Sequence, residues 1–181
     1  MLIIPIAPKH VQTLAEIAAE TFTDTFGHLY SAEDLNSYRA AAYAHPQLLH
    51  EIATEECYFL CLDTDPEGLK PLGFAQLRPN TRNELMRSLG DEYPEPCWEL
   101  HRFYIRKESQ GMRAGSFMMD FCMKRFKEAG VKSLWLSVYS DNVKAQKFYQ
   151  KYGIMYSGHN MEFPVGNHVD LEFLYTAKFS F

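Results

Sequence analysis

Two glycines four residues apart, Gly111 and Gly115, follow a segment suited to a strand and open one suited to a helix. Leu100 to Ile105 is aromatic and aliphatic, the composition of a half-buried pleated strand, and the polar run Arg106 to Gln110 ends it. A glycine-bearing loop at a helix N-terminus can hold phosphate. The first N–H groups of the helix lack internal partners, and the helix dipole favours negative charge there. The same spacing also fits an ordinary strand-to-helix turn, so the flanking sequence decides its use.

The elements on either side read in order. Leu2 to Ile6 is a short apolar strand, and Pro8 suits a helix start. Val11, Leu14, Ala15 and Ala18 share one face of an amphipathic helix. Thr21 to Gly27 is aromatic and hydroxyl-rich. Ser31 caps a second helix, with Asp34 three residues on, and Leu35, Tyr38 and Ala42 continue it until Pro46 interrupts or follows. Cys57 to Leu62 and Leu72 to Leu77 form a hairpin across the turn residues Asp63 to Gly68. The connection from Pro79 to Pro96 is long and polar, of a kind often functional or mobile, with room for a short helix over Asn83 to Leu89.

Beyond Gly115, Ala114, Met118, Phe121, Cys122, Phe126 and Ala129 trace a core-facing helical stripe that stops at Gly130. Ser133 to Val138 alternates as a strand. Asp141 or Asn142 can cap a helix on which Ala145, Phe148, Tyr149 and Tyr152 share a face, ending at Gly153. Ile154 to His159 and His168 to Phe179 are two closing strands, joined by a loop around Pro164 to Asn167. Strands interleaved with helices in this order imply a single α/β (α+β) domain over residues 1–181, one sheet with helices on its faces.

The 181 residues suffice for one sizeable core. A net charge of −5, with both signs mixed throughout, gives bulk charge no part in nucleic-acid binding, and no nucleic-acid partner is expected. No apolar run is long enough for a membrane helix, and the N-terminus lacks the form of a secretory signal, so no membrane partner is expected. Cys57, Cys61, Cys97 and Cys122 make no C-x-x-C pair and no zinc spacing with histidine. They read as reduced, mostly buried thiols of a cytoplasmic protein without a metal, and Cys57 and Cys61 would share a strand face.

The run Leu134-Trp-Leu-Ser-Val-Tyr-Ser-Asp-Asn-Val-Lys-Ala-Gln-Lys-Phe-Tyr-Gln-Lys-Tyr-Gly153 matches L-x-V-x-x-x-N-x-x-A-x-x-F-Y-x-x-x-G. That pattern is a hallmark of the GNAT superfamily of acetyl-CoA-dependent N-acetyltransferases, which the chain resembles over nearly its whole length. Gln110-Gly-Met-Arg-Ala-Gly115 resembles the family's cofactor loop, Q/R-x-x-G-x-G/A, except that Arg113 replaces the first motif glycine. Arginine fits there if its φ is negative and its side chain turns outward, where the guanidinium could face a phosphate. Thr21 to Leu35 and Glu99 to Ile105 also look like a bacterial polyamine acetyltransferase subgroup.

The resemblance implies a mixed, mostly antiparallel sheet of about seven strands flanked by about four helices. It implies transfer of acetyl from acetyl-CoA to a primary amine by direct attack, with a small amine or polyamine favoured as partner. A protein or peptide amine is the alternative, as is a regulatory protein that binds acyl-CoA without catalysis. Homodimers are common in the family. Backbone groups of Phe103, Tyr104 and Ile105 would hold the pantetheine arm, and Gln110, Gly111, Met112, Arg113, Ala114, Gly115 and Ser116 would cradle the pyrophosphate. Asn142 would contact the cofactor, though a helix cap alone also explains it. Tyr149 would protonate the departing thiolate, unless it is simply core; its high intrinsic pKa suits the task. Glu99 lies eleven positions before Gln110, where histone-acetylating members carry their base. It is the candidate base, or else an anchor for the substrate ammonium. His101, on the same strand face, is a second candidate. Asp24, Glu33 and Asp34 could attract a cation but also suit helix starts.

Overall fold

The computed structural model describes residues 1–54, 57–65 and 68–180. Its centre is a seven-stranded sheet in the order β1-β2-β3-β4-β5-β7-β6. The strands are β1 (Leu2–Pro5), β2 (Cys57–Asp65), β3 (Gly68–Arg78), β4 (Cys97–Ile105), β5 (Ser133–Tyr139), β6 (Met155–Val165) and β7 (His168–Lys178). All neighbours run antiparallel except β4 and β5, which run parallel. Six α-helices accompany the strands among the described residues: α1 (Val11–Phe26), α2 (Ala32–Ala42), α3 (His45–Ala53), α4 (Glu84–Ser88), α5 (Ala114–Glu128) and α6 (Val143–Gln150).

The sheet has a core on each face. One joins Phe59, Ala75, Leu100, Leu134 and Leu136 of the sheet to Met118, Cys122 and Phe126 of α5 and Tyr149 of α6. The other joins Leu60 and Phe74 to Leu14, Ile17 and Phe22 of α1, Tyr43 at the end of α2 and Leu48 of α3. Cys61 and Cys57 both contact the first core, and all four cysteines are free, three of them buried. The apolar stripe of α5 ends earlier than its spacing implies, because Ala129 is exposed as the C-terminal cap.

Several boundaries differ from the sequence reading. Helix α1 runs straight through Thr21 to Phe26; Thr21, Thr23 and Thr25 donate their hydroxyls to the carbonyls of Ile17, Ala19 and Thr21, each at 2.7 Å, which removes their competition with the helix. Pro46 follows α2 and does not interrupt it. It sits in the first turn of α3, where its missing N–H costs nothing. With α3 and α4 the helices number six, not about four. Ser31 caps α2 as expected, its Oγ accepting from Asp34 N at 3.1 Å, and the short helix with room over 83–89 forms as α4, capped by Asn83, whose Oδ1 accepts from Met86 N at 2.8 Å. The Asp63–Gly68 turn is mostly ladder, with Asp63, Thr64 and Asp65 paired to Lys70, Leu69 and Gly68; Pro66 and Glu67 lie outside the described residues. Pro164 and Val165 belong to β6, leaving Gly166 and Asn167 as the turn into β7. The long 79–96 connection is tied down by Arg82, which donates to the carbonyls of Gly90 (3.2 Å) and Tyr93 and pairs with Glu95 at 2.7 Å.

Strand β4 carries two irregularities. Its ladder to β5 spans only Cys97↔Ser133, Trp98↔Leu134 and Glu99↔Trp135. From Leu100 to Ile105 it pairs with β3 alone, so the edge facing β5 carries backbone groups without a ladder partner. On the β3 side Gln76 pairs with Arg102 and Leu77 with Leu100, so His101 is the extra residue of a β-bulge. Beyond the bulge, Arg102 and Tyr104 face the α1–α3 side of the sheet, where Arg102 pairs with Glu51 of α3 and Tyr104 packs against the second core.

Candidate active site

The divergence of β4 from β5 opens a cleft of about 860 Å³ across the sheet. Helix α5 begins at one end of it. The first helical bond of α5 from the loop runs from Phe117 N–H to the Arg113 carbonyl at 2.9 Å, so the N–H groups of Ala114, Gly115 and Ser116 precede any i→i−4 bond. Arg113 caps this helix with φ +65° and ψ 6°, the left-handed conformation a glycine would take without cost. The negative φ that would let arginine fit without cost is therefore not the one adopted. The loop keeps the glycine-type backbone, and arginine bears about 1–2 kcal/mol of steric cost to hold it. Its side chain is exposed and borders the cleft.

Gln110, Gly111, Gly115 and Ser116 border the cleft as well, whereas Met112 is 53% exposed away from it and Ala114 is buried in the core. Met112 and Ala114 can thus contribute backbone only. A Cβ at Gly115 would meet Ile105 and Phe148 at 3.6–3.7 Å, ordinary contact distances. Gln110 donates to the Ile105 carbonyl at 3.3 Å and accepts from Lys144. Lys107, Arg113 and Lys144 make this end of the cleft basic.

Phe103, Tyr104 and Ile105 line the middle, as does Asn142, which both caps α6 (Oδ1 accepts from Ala145 N, 3.1 Å) and borders the cleft. Tyr149 is 8% exposed and also borders it. Burial, with smaller contributions from Cys122 and Glu172, pushes its phenol far above the usual tyrosine value. It is a proton donor throughout the neutral range.

The opposite end is acidic. Glu99 is buried, with Oε1 2.8 Å from His101 Nδ1 and Oε2 3.7 Å from Arg78. Burial pulls the His101 imidazole below its usual value, against the opposing pull of Glu99. Asp24 borders the cleft but is exposed; Asp34 contacts the β6–β7 turn instead, where Asn167 N donates to its Oδ1 at 3.4 Å. Glu33 lies in the first turn of α2, suited to the helix start.

Three carboxylates bordering the cleft escape a sequence reading: the exposed Glu162 of β6, and Asp170 and Glu172 of β7. Asp170 is buried, accepting from the Tyr30 hydroxyl and lying 3.0 Å from His168 Nε2. Glu172 is half-buried and hydrogen-bonded to Ser137; burial first, then Asp170 and Glu99, raise its carboxyl above the usual range. Their i, i+2 spacing, which puts both on one strand face, was the available signal. Among the described residues no group of three or more His, Cys, Asp or Glu side chains is placed to hold a metal ion, and no helix is long and apolar enough to cross a membrane.

The α1–α2 segment closes over this acidic end. Tyr30 reaches Asp170, and the Tyr38 and Phe163 rings lie 5.9 Å apart, edge to face. Phe22 stacks on Tyr38 at 4.5 Å beneath them.

The comparisons with known proteins agree with this geometry. A solved PaiA N-acetyltransferase from Thermoplasma acidophilum, in complex with coenzyme A, superposes with a TM-score of 0.73 at 22% identity, covering 99% of this chain and 100% of that one. A ribosomal-protein-alanine N-acetyltransferase from Brucella melitensis superposes with a TM-score of 0.68 at 14% identity, covering 99% and 100%. In sequence, an uncharacterized N-acetyltransferase of the pepI 3′ region of Lactobacillus delbrueckii subsp. lactis is 28% identical over 152 residues, 84% of this chain and 83% of its own. The model of the acetyltransferase (GNAT) family matches residues 11–154. The chain belongs to the acetyltransferase (GNAT) family.

Proposed function

We propose that the protein transfers the acetyl group of acetyl-CoA to the primary amine of a small acceptor by direct attack. The observation that carries this reading is the unpaired β5-facing edge of β4, running from Leu100 to Ile105 toward the N-terminus of α5. An extended pantetheine arm can add to that edge as a strand would, through backbone groups of Phe103, Tyr104 and Ile105. The pyrophosphate then meets the N–H groups of Ala114, Gly115 and Ser116, with Gly111, Met112 and Arg113 in the preceding turn. Lys107, Arg113 and Lys144 border that end and supply opposite charge. Asn142 stands beside the arm as it caps α6. The Thermoplasma structure, which holds coenzyme A, supports the same fit.

Tyr149 is assigned the general acid. Its buried, protonated phenol lines the cleft and can give its proton to the sulfur as the C–S bond breaks. A backbone N–H of the β4 edge can polarise the thioester carbonyl. Glu99 stands at the acceptor end, where its carboxylate can anchor an ammonium or draw its proton through water.

The roof formed by Tyr30 on Asp170 and Tyr38 on Phe163 favours a small or slender acceptor, such as a polyamine, over a folded protein surface. The acidic lining favours a cationic one. A peptide amine is the competing acceptor, the name of the Brucella neighbour being its support. Release of free CoA thiol from acetyl-CoA, with spermidine, a lysine peptide and a mixed amine panel, tests both. Spermidine-dependent release is expected; release with the peptide alone would move the acceptor class to peptides. No release with any acceptor, while acetyl-CoA still stabilises the fold, would replace catalysis by binding alone.

A further inference from the structure

We infer that Glu172, on β7, takes the proton from the acceptor's ammonium group. The inference rests on the acetyltransfer reading above and gives the base's task to Glu172, leaving Glu99 to anchor the ammonium. Glu99 has one oxygen against His101 and the other toward Arg78. Asp170, two residues before Glu172 on the same face, is occupied by Tyr30 and His168. Asp24 and Glu162 border the cleft but are exposed. Glu172 is half-buried in the cleft wall, and no ion pair joins it to a basic side chain among the described residues.

Its surroundings suit the task. Glu172 lies opposite Tyr139 of β5 and Met161 of β6 in the ladder, which fixes its backbone on both sides. Ser137, also on β5, hydrogen-bonds the carboxylate. The titratable groups whose charges it feels or influences are Asp170 on its own strand, Glu99 and Tyr104 on β4, Tyr149 on α6, and Tyr30 and Tyr38 from the α1–α2 side. The tyrosines are neutral donors, and the two guanidiniums nearby, Arg78 and Arg102, each have a carboxylate of their own, Glu99 and Glu51. Burial and these like charges give Glu172 more affinity for a proton than an exposed carboxylate has, which a base working near neutrality requires.

The proton balance closes with Tyr149. The ammonium passes one proton to the Glu172 carboxylate, and the freed nitrogen lone pair forms the C–N bond at the thioester carbonyl. As the C–S bond breaks, Tyr149 gives its proton to the sulfur. Its phenolate then recovers one from the new amide nitrogen. Glu172 returns its proton to solvent, so one proton is released for each ammonium acetylated.

The test compares acceptors that need a base with one that does not. At neutral pH spermidine arrives as ammonium, whereas methoxyamine arrives with a free lone pair. Glu172→Gln is expected to lower kcat/KM for spermidine by about 10² to 10⁴-fold, to leave the rate with methoxyamine within severalfold, and to leave stabilisation by acetyl-CoA unchanged. Its pH profile with spermidine should follow the amine's own ionisation in place of an enzymic group. Glu99→Gln, as the loss of an ammonium anchor, should instead raise KM for spermidine with kcat little changed and leave methoxyamine unaffected. Equal losses with both acceptors in Glu172→Gln, or no loss with either, would overturn the inference. A wild-type enzyme that acetylates neither of these amines nor the lysine peptide or any amine of the panel, yet binds acetyl-CoA, would overturn the acetyltransfer reading itself, and the inference with it.

Discussion

Arg102 Nη1 of β4 and Glu51 Oε2 of α3 lie 2.9 Å apart, an ion pair whose side chains are only 10% and 7% exposed. The pair joins the bulged strand of the cleft to the helical layer behind it. Tyr58 donates to the same carboxylate, Gln47 donates to its other oxygen at 2.8 Å, and the guanidinium lies 5.4 Å from the Tyr43 ring centroid. Removing one partner leaves a buried charge without compensation, which costs far more than the pair is worth against apolar replacements. Burial raises the Glu51 carboxyl, but Arg102, Tyr58 and Gln47 more than offset it and hold it below its usual value. A lowered folded pKa gives stability that is present above the unfolded value and lost as pH falls through the folded one. Glu51→Gln is expected to cost about 3–5 kcal/mol at neutral pH. Its stability should also decline less than that of the wild type as pH falls below 4.5. Chemical denaturation across pH checks both; an unchanged midpoint at pH 7 would remove the pair from the stability of the site.

Arg113 separates strain from binding. Glycine at position 113 would take φ +65° freely, removing about 1–2 kcal/mol of left-handed cost, part of which the greater freedom of the unfolded chain cancels. It would also remove a guanidinium from the basic end of the cleft. Arg113→Gly is therefore expected to raise the melting temperature of the free protein slightly while weakening acetyl-CoA binding and flattening its salt dependence. Thermal unfolding with titration calorimetry at two ionic strengths separates these. Tighter binding in the variant would show that the arginine obstructs the phosphates.

Tyr149→Phe keeps the ring that packs on Phe148 and Phe103, at 5.6 and 6.4 Å between centroids, and removes only the hydroxyl. The fold and acetyl-CoA binding should survive. Turnover should fall by about 10² to 10⁴-fold if the phenol protonates the thiolate. Because burial holds that phenol well above the ordinary range, the wild type should show no loss of rate through Tyr149 ionisation up to the ordinary tyrosine value. Stopped-flow thiol detection measures the step; a variant as fast as the wild type would return Tyr149 to a packing role.

Much of the fold and half of the site were legible in the sequence because the signals were local. The α6 motif names Asn142 and Tyr149 through residues that cap and pack a single helix. The Ser31 cap follows from a side chain three residues from its partner. What was not legible depends on distant neighbours. The left-handed φ of Arg113 is imposed by the strand and helix it connects, and residue type argued for the opposite. Strand β7 inverts the usual pattern: Val169 and Leu171 are 53% and 45% exposed while Asp170 is buried and Glu172 half-buried. Hydropathy alone would turn the acidic face outward, and only pairing with β5 and β6 across the cleft explains why it turns in. The family match also stops at residue 154, before both carboxylates.

That inversion has a cost that can be measured. A carboxyl raised in the folded state contributes stability that is fully present below its unfolded pKa and lost as pH rises through the folded one. For Glu172 the loss begins near 4.5 and is complete above its raised value. Each unit of elevation corresponds to about 1.4 kcal/mol. Glutamine keeps the acceptor oxygen for Ser137 but cannot ionise. Glu172→Gln should therefore match the wild type near pH 4 and become progressively more stable relative to it toward neutrality, the advantage levelling once Glu172 is ionised. In a domain of this size about 1 kcal/mol moves the melting temperature by about 2–4 °C, so a series of melts across pH resolves the trend. A variant less stable than the wild type at every pH would mean that the carboxylate is held by contacts worth more than the charge it buries.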